Sequence, residues 1–419
     1  MRLGVALGAM RRLFANHGYR YYIAGIAFSN VGVWVQRVAI GWLTWKLTHS
    51  TAWLGGIAIA EAGPMLTLGL IAGTVVDRMD YLRLLRIAQA FTVAYSAVLA
   101  GLTFAGLMNI WLLLAITILR GGAQAFQRPS RMSLVYTLVG RDMLPTALAL
   151  NSMVFNGSRF VGPAIGGAII VGAGIAWAFA TAAVLFLAFT LTLRALPPTD
   201  AAPRDRKATS FAAETWEGIS YILGHPGIRM QMTILFAVAA FARPLIDLFP
   251  GFAAKVFAGG PDTLAALLSS LGLGAVGGGL FLATREGGTT GMTRVTLNAM
   301  LGATLALLAF TAANTLWQAL PVAALLGFTF ITVGISNQTL IQSAVDPRLR
   351  GRVISLYGTV ARAMPSVGAL AIGGIAEYTG LRLPVAGGAV LCLGVWAWAW
   401  RRRVSYARDM ELGPVPAGD

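Results

Sequence analysis

Twelve long apolar stretches constrain the fold of this chain more than any other feature. A helix crosses the hydrocarbon core of a bilayer with about 20 apolar residues. The stretches have these approximate bounds: 21–46, 52–75, 84–107, 110–133, 147–171, 174–195, 228–253, 263–283, 292–312, 315–341, 353–376 and 383–400. Backbone polar groups in lipid must bond within the segment or in a closed barrel. The sequence therefore predicts an all-α membrane protein with twelve transmembrane helices.

The charge content supports a membrane location. Charged residues make up 11% of the 419 residues, whereas a soluble domain carries about 25%. The 50 glycines lie mostly inside apolar runs, where glycine is typical of close helix–helix contact. We therefore expect the lipid bilayer to be the main environment of the chain.

One long polar stretch divides the chain into two halves. We expect an N-terminal six-helix bundle at 1–195, a cytoplasmic linker at 196–227, and a C-terminal six-helix bundle with a short tail at 228–419. The second part of the linker carries apolar residues at helical spacing: Trp216, Ile219, Ile222 and Leu223. This spacing predicts an amphipathic helix on the membrane surface.

The two halves repeat weakly. Gly166-Gly167 and Gly373-Gly374 are separated by the same number of residues as Arg78 and Arg285. Duplicated six-helix halves place a substrate site between them, near the bilayer midplane.

Basic residues predict the orientation. The net charge is +16, and 24 of the 32 Lys and Arg residues fall on the side that holds the N-terminus. Basic loops stay in the cytoplasm, so we expect both termini to be cytoplasmic and the membrane to be a bacterial-type inner membrane. Arg11 and Arg12 interrupt the first twenty residues, which we interpret as a retained segment. This distribution accounts for the basic charge without nucleic acid as a partner.

Motifs for enzyme chemistry are absent from the sequence. None of Lys46, Lys207 and Lys255 lies in the glycine-rich context of an ATP-binding loop. The single Cys392 and three scattered histidines predict neither a disulfide nor a metal site. We expect no enzyme activity, no cofactor and no metal.

The loop after the second stretch carries Gly73, Asp77 and Arg78 in the order Gly-x-x-x-Asp-Arg. This motif resembles the signature of the major facilitator superfamily, and the resemblance covers essentially the whole chain. It implies a fold of two six-helix bundles and a cytoplasmic conformational latch in which Asp77 reaches the start of the eleventh helix near Gly351 and Arg352. A carboxylate is favoured at a helix N-terminus.

The fifth stretch carries Gly162, Pro163, Gly166 and Gly167, which resemble an interface motif of drug antiporters in this superfamily. Proline kinks a helix, and glycine admits a close neighbour. The resemblance implies that this helix faces the glycine-rich run 272–279 of the eighth helix across the interface between the halves. It also implies export.

Scattered polar and aromatic positions narrow the resemblance. Trp34 and Gln36 in the first stretch, Arg120 in the fourth, and Asn156 and Arg159 in the fifth resemble the branch that contains the enterobactin exporter and macrolide efflux proteins.

Ionisable residues inside the spans are functional candidates, because each costs roughly 2.5–3.5 kcal/mol at the helix centre on insertion scales. They are Arg37, Glu61, Arg120, Arg159, Arg243, Asp247 and Arg362. Glu61 and Arg37 lie at depths that allow pairing, and Arg243 and Asp247 share a helix face because they are four residues apart. Glu61 and Asp247 are the candidates for proton coupling, and static ion pairs are the alternative. Arg37 and Arg120 are the candidate partners that tune these carboxylates or bind an anionic group.

The resemblance implies alternating access around a central cavity. The candidates for its wall are Trp34, Gln36, Arg37, Arg120 and Arg243. We expect a proton-coupled exporter of small organic molecules, drug-like or siderophore-like, with a monomer as the family default. An importer or facilitator of an anionic metabolite and a transport-inactive membrane scaffold or sensor remain alternatives.

Overall fold

The computed structural model describes residues 10–196, 211–285 and 288–411, and the side chains there except at 70–78, 128 and 211–214. Every regular element in these ranges is a helix, which confirms the all-α prediction. The first five long helices are α1 (His17–Thr48), α2 (Thr51–Arg78), α3 (Tyr81–Phe104), α4 (Ile110–Ala173) and α5 (Ile175–Arg194). The later helices are α6 (Phe211–Gly224), α7 (Pro226–Ala237), α8 (Leu245–Gly251), α9 (Pro261–Ala283), α10 (Met292–Ala312), α11 (Leu316–Ala344), α12 (Arg350–Thr379), α13 (Arg382–Arg401) and α14 (Arg403–Glu411).

Helix α4 covers two of the stretches found in the sequence. Its 64 residues correspond to about 96 Å at 1.5 Å per residue, about three times the hydrocarbon thickness of a bilayer. Gly140 interrupts it with φ 70° and ψ −179°, a conformation that glycine adopts without steric cost. In the described part of the chain, ten helices are long and apolar enough to span a membrane, and α4 is one of them. The number of twelve stays a prediction.

The seventh stretch, expected at 228–253, forms one candidate span from Pro226 to Val256, but it is not a regular α-helix throughout. Two π-helical turns, Val238–Ala242 and Phe252–Val256, lie on either side of α8. Pro244 and Pro250 lack the N–H donor that an α-helix needs, and the Arg243 amide donates to the Val238 carbonyl over 3.0 Å instead. π-Helical turns of this kind occur frequently at functional sites.

The chain forms two compact units. Unit 1 comprises Met1–His49, Ala60–Arg206 and Gly260–Ser269, and unit 2 comprises Ser50–Ile59, Lys207–Gly259 and Ser270–Asp419. α2 and α9 each contribute residues to both units, and the two six-helix bundles on either side of the linker stay a prediction.

Aromatic residues fill the core of unit 1 at one end of α1. Tyr19, Tyr22 and Phe189 are buried there, and Tyr22 packs edge-on against Phe189 with ring centroids 6.2 Å apart. The Tyr19 hydroxyl donates to the Ala147 carbonyl over 3.1 Å. This bond joins the second half of α4 to α1.

Glycine permits the closest helix contact in unit 2. A Cβ atom on Gly274 of α9 would lie 1.7 Å from the Ala324 carbonyl oxygen, and one on Gly327 of α11 would lie 1.8 Å from the Leu271 carbonyl oxygen. The glycine-rich run of the eighth stretch, expected to face the fifth, therefore packs at Gly274 against α11.

Candidate functional site

An ion pair between the buried Arg120 and the partly exposed Glu61 joins α2 and α4. Arg120 donates from Nη1 to Glu61 Oε2 over 2.9 Å, and Gln124 donates from Nε2 to Oε1 over 2.9 Å. Arg120 and Gln124 are one helical turn apart and therefore share a face. The Arg120 side chain is 4% exposed and that of Glu61 is 33% exposed. Both oxygens of the carboxylate are thus held by α4.

Gly121 explains why these two helices approach closely enough for the pair. A Cβ atom on this residue would lie 2.2 Å from the Glu61 carbonyl oxygen, so any larger residue would push α2 away. Pro64 lies three residues further along α2, where a proline removes a backbone hydrogen bond and bends the helix. The glycine contact brings Arg120 within reach of Glu61.

Tyr95 and Arg37 complete the electrostatic surroundings. Tyr95 of α3 lies beside Arg120, and Arg37 of α1 lies within electrostatic range of Glu61. The sequence suggested Arg37 and Arg120 as partners of the candidate carboxylates. Arg120 forms the salt bridge with Glu61, and Arg37 lies within electrostatic range of it. Breaking a buried pair leaves a charge without compensation and costs about 3–5 kcal/mol.

A second cluster in unit 1 surrounds the indole of Trp34. The guanidinium carbons of Arg37 and Arg159 lie 5.5 Å and 5.6 Å from its ring centroid, within the range of cation–π contact. Phe155 packs against Trp34 with ring centroids 6.4 Å apart. Two cationic groups therefore share one aromatic side chain, next to the helix that carries Gly162.

Gln36 lies at a different place from Trp34 and Arg37. Its side chain is fully buried, and Nε2 donates to Ser96 Oγ of α3 over 2.9 Å. This contact lies between α1 and α3.

Arg243 and Asp247 lie in unit 2, where the π-helical turn separates them from α7. Both residues are half-buried. Arg243 lies within electrostatic range of Tyr357, whose hydroxyl donates to the Gly334 carbonyl over 3.0 Å. The π-helical turn ends before Arg243, and Arg243 and Pro244 keep right-handed helical dihedral angles up to the start of α8. The shared face of Arg243 and Asp247 stays a prediction.

The side chains of Gly73, Asp77 and Arg78, proposed as a cytoplasmic latch, lie outside the described residues. The expected contact region at the start of α12 is described. There, Arg352 forms a 2.6 Å salt bridge with Glu217 of α6. The linker helix thus occupies a position beside the residue that the motif was expected to approach.

The glycines of the proposed interface motif face two different helices. A Cβ atom on Gly162 would lie 2.5 Å from the Cβ of Trp34 in α1, and one on Gly166 would lie 3.1 Å from the Val35 Cα. One on Gly167 would lie 2.2 Å from the Cβ of Ala265 in the first turns of α9. Pro163 lies inside α4 between these contacts.

Gln124 is the main site residue that the sequence analysis did not identify. The candidates inside the spans were ionisable residues, and the amide of Gln124 does not ionise. Its position one turn after Arg120 was the available signal. Among the described residues, no group of three or more His, Cys, Asp and Glu side chains is placed to hold a metal ion.

Known proteins match this chain over most of its length. A family model described as transmembrane secretion effector matches residues 13–415. The multidrug efflux pump Tap of Mycolicibacterium fortuitum is 28% identical over 373 residues, which cover 84% of this chain and 88% of that protein. The enterobactin exporter EntS of Shigella boydii serotype 4 is 26% identical over 365 residues, which cover 83% and 82%.

A further match is partial. The staphyloferrin A transporter of Staphylococcus aureus is 27% identical over 152 residues, which span 36% of this chain and 38% of that protein.

Solved structures share the fold at low sequence identity. The peptide transporter POT has a TM-score of 0.75 at 12% identity and matches over 94% of this chain and 95% of its own. A bacterial homolog to the human lysosomal transporter Spinster has a TM-score of 0.68 at 14% identity, over 95% and 99%. The resemblance found in the sequence is confirmed: the chain belongs to the transmembrane secretion effector family of the major facilitator superfamily and is a multi-pass membrane transporter, not an enzyme.

Proposed function

We propose that this chain exports small organic molecules by proton-coupled alternating access, with Glu61 as a proton carrier. The observation that carries the proposal is the carboxylate of Glu61, held by Arg120 and Gln124 at the contact of two membrane helices. A carboxylate near an arginine favours the ionised form, whereas an unpaired carboxylate in a dehydrated site takes up a proton. Separation and re-formation of the pair would therefore load and release one proton per cycle.

The energy of one proton is sufficient for export. One pH unit supplies about 1.4 kcal/mol per proton, and a membrane potential of 100 mV adds about 2.3 kcal/mol per charge. Together they sustain a concentration ratio of about 500-fold. Asp247 in unit 2 is a second candidate carrier.

The relatives support the outward direction of transport, and the cluster around Trp34 supports the class of cargo. Two relatives that match most of the chain are an efflux pump and an exporter. In unit 1, Arg37 and Arg159 beside Trp34 would suit an anionic group next to an aromatic ring. We assign cytoplasmic termini and a bacterial inner membrane on the basis of the basic residues.

Proton release from vesicles tests the coupling. Inside-out vesicles with an acidic interior would receive amphiphilic drugs, siderophores and small anions while a pH-sensitive dye reports the gradient. We expect at least one compound to dissipate the gradient with the unaltered protein but not with Glu61→Gln. Asp142→Asn is the control, because this carboxylate is exposed on α4.

The result also separates the alternatives. Equal dissipation with Glu61→Gln would contradict the role of Glu61. Gradient-driven uptake into intact cells in place of efflux would favour an importer.

A further inference from the structure

A groove of about 390 Å³ lies on the surface of unit 2, between α7 and α13. Five residues line it: Arg229, Thr233, Gly394, Val395 and Trp398. None of these residues belongs to the clusters around Glu61, Trp34 or Arg243. The groove is therefore separate from the site assigned to transport.

The lining has a polar rim, which contains Arg229, and a floor formed by Gly394 and Val395. Arg229 and Thr233 are one helical turn apart on α7, and Gly394 and Trp398 are one turn apart on α13, so each pair shares a face. Arg229 is exposed at the start of α7, and Trp398 is near the end of α13. A Cβ atom on Gly394 would meet no atom within 4 Å. The floor is thus open space between the two helices.

A further arginine contacts the lining residue Trp398, and a second arginine–tryptophan pair follows it in the chain. The guanidinium carbon of Arg402 lies 5.3 Å from the Trp398 ring centroid, and that of Arg403 lies 4.9 Å from the Trp400 ring centroid. Arg229 donates from Nη1 to the Leu223 carbonyl and keeps further N–H groups. A carboxylate is also near, because the Cβ of Asp409 packs on Gly227 at the start of α7. Arginines outnumber carboxylates at this end of the groove.

The position of the rim along α13 indicates that it lies at the boundary between bilayer and water. The apolar run of α13 ends at Arg401, and three tryptophans precede it: Trp396, Trp398 and Trp400. Tryptophan is enriched at the boundary between bilayer and water, and the adjacent arginines indicate its cytoplasmic side. Basic pockets between membrane helices on that side bind anionic lipid headgroups.

We propose that this groove binds an anionic phospholipid from the cytoplasmic leaflet. The lipid phosphate lies between Arg229 and Arg402, and the beginning of one acyl chain lies along Gly394 and Val395. The positive rim and the open apolar floor match the two ends of such a molecule. A free phosphate would use the rim alone, whereas a neutral lipid would use the floor alone.

Lipid binding to the purified full-length chain tests the proposal. Native mass spectrometry in detergent would measure binding of phosphatidylglycerol and phosphatidylcholine, and tryptophan fluorescence would follow thermal unfolding with each lipid or with inorganic phosphate. We expect preferential binding and stabilisation by phosphatidylglycerol. The double variant Arg229→Gln/Arg402→Gln is expected to bind it about 30-fold less tightly, since each basic residue near an anionic surface contributes about fivefold.

Gly394→Leu supplies a second variant in which every charge is retained. The leucine side chain enters open space, so the chain is expected to fold, and phosphatidylglycerol binding is expected to be lost because the floor is filled. Arg348→Gln is the matched control, because it removes one exposed cytoplasmic-side arginine outside the groove. The proposal is overturned if Gly394→Leu binds phosphatidylglycerol as the unaltered chain does, if phosphatidylcholine binds equally well, or if inorganic phosphate stabilises the chain as much as the lipid.

Discussion

At the scale of single residues, Glu61 and Arg120 depend on each other. Arg120 is almost fully buried, and its Nη1 contacts the carboxylate directly. A buried cation without its partner is far less favourable than a neutral pair of similar shape. The pair is therefore expected to behave non-additively when its members are replaced.

Thermal unfolding of three variants in detergent measures this dependence. We expect Glu61→Gln to lower stability by up to about 3–5 kcal/mol, because Arg120 stays buried without its partner. Arg120→Gln is expected to lower it less, because the remaining Glu61 carboxylate is partly exposed to solvent. The double variant is expected to be more stable than the sum of the two losses predicts, because neither charge remains buried alone. Asp142→Asn is expected to have no effect. Simple additivity would show that the two side chains are not coupled.

The sequence identified the charged members of this site but not their arrangement. The free-energy cost of placing an ionisable side chain in the membrane is enough to identify Glu61 and Arg120 as functional candidates. Their contact depends on Gly121, where the backbones of α2 and α4 approach, and a helix contact of this kind cannot be found from the spacing within one helix. Depth along each segment allowed Arg37 and Arg120 to be named as partners, but it did not show which of them forms the salt bridge.

At the scale of helices, the first turn of α2 is held by a carboxylate from α12. Glu377 Oε2 accepts from the Ser50 hydroxyl at 3.0 Å, the Thr51 amide at 2.9 Å and the Thr51 hydroxyl at 3.0 Å. The Gly373 carbonyl oxygen lies 2.8 Å from the same Thr51 hydroxyl, so the two acceptors share its single proton. An acidic group is favoured at a helix N-terminus, so Glu377 stabilises the start of α2 from another helix.

Hydrogen exchange at residues 50–55 tests the role of Glu377. We expect Glu377→Ala to raise the exchange rate there, because the Thr51 and Ala52 amides lose their acceptor. The carboxylate is exposed, so solvent screening limits the loss to about 1 kcal/mol. Glu377→Gln retains an acceptor and is expected to show a smaller increase. Tyr378→Ala is the control, since Tyr378 is 92% exposed. Unchanged exchange in Glu377→Ala would rule out this anchoring role.

The C-terminal helix α14 is attached to unit 2 in a similar way. Glu411 Oε2 accepts from the Gly291 amide over 2.7 Å, and Oε1 accepts from the Thr293 amide over 3.0 Å at the start of α10. Tyr406 is buried, and both its burial and the negative charge of Glu411 raise its pKa. The helix therefore combines an apolar contact with a cap for α10.

Limited proteolysis within residues 403–411 tests this attachment. We expect Glu411→Ala to increase cleavage there, because a lost helix cap costs about 1 kcal/mol and α14 then detaches more often. Arg408→Gln, at an exposed position of the same helix, is expected to cleave at the rate of the unaltered chain. Equal cleavage of both variants would mean that the apolar contact alone holds α14.

At the scale of the whole molecule, hydropathy predicted the helical membrane fold because each span must satisfy its own backbone in lipid. It did not predict the interruptions at Gly140 and around Pro244, which depend on local backbone geometry. It also did not predict that Ser50–Ile59 of α2 packs within unit 2, since that grouping depends on tertiary contacts. Composition and periodicity contain no information about such contacts.

The orientation of the whole chain gives a prediction that the single cysteine makes easy to test. Cys392 is buried and contacts the Ala237 carbonyl over 3.4 Å, so Cys392→Ala provides a cysteine-free background with little loss of packing. In that background, Tyr378→Cys and Arg348→Cys each introduce one exposed thiol, at opposite ends of α12. Because the basic loops are expected in the cytoplasm, a membrane-impermeant maleimide should label position 378 in intact cells and position 348 only after permeabilisation. The reverse pattern would place both termini outside and would overturn the assigned direction of export.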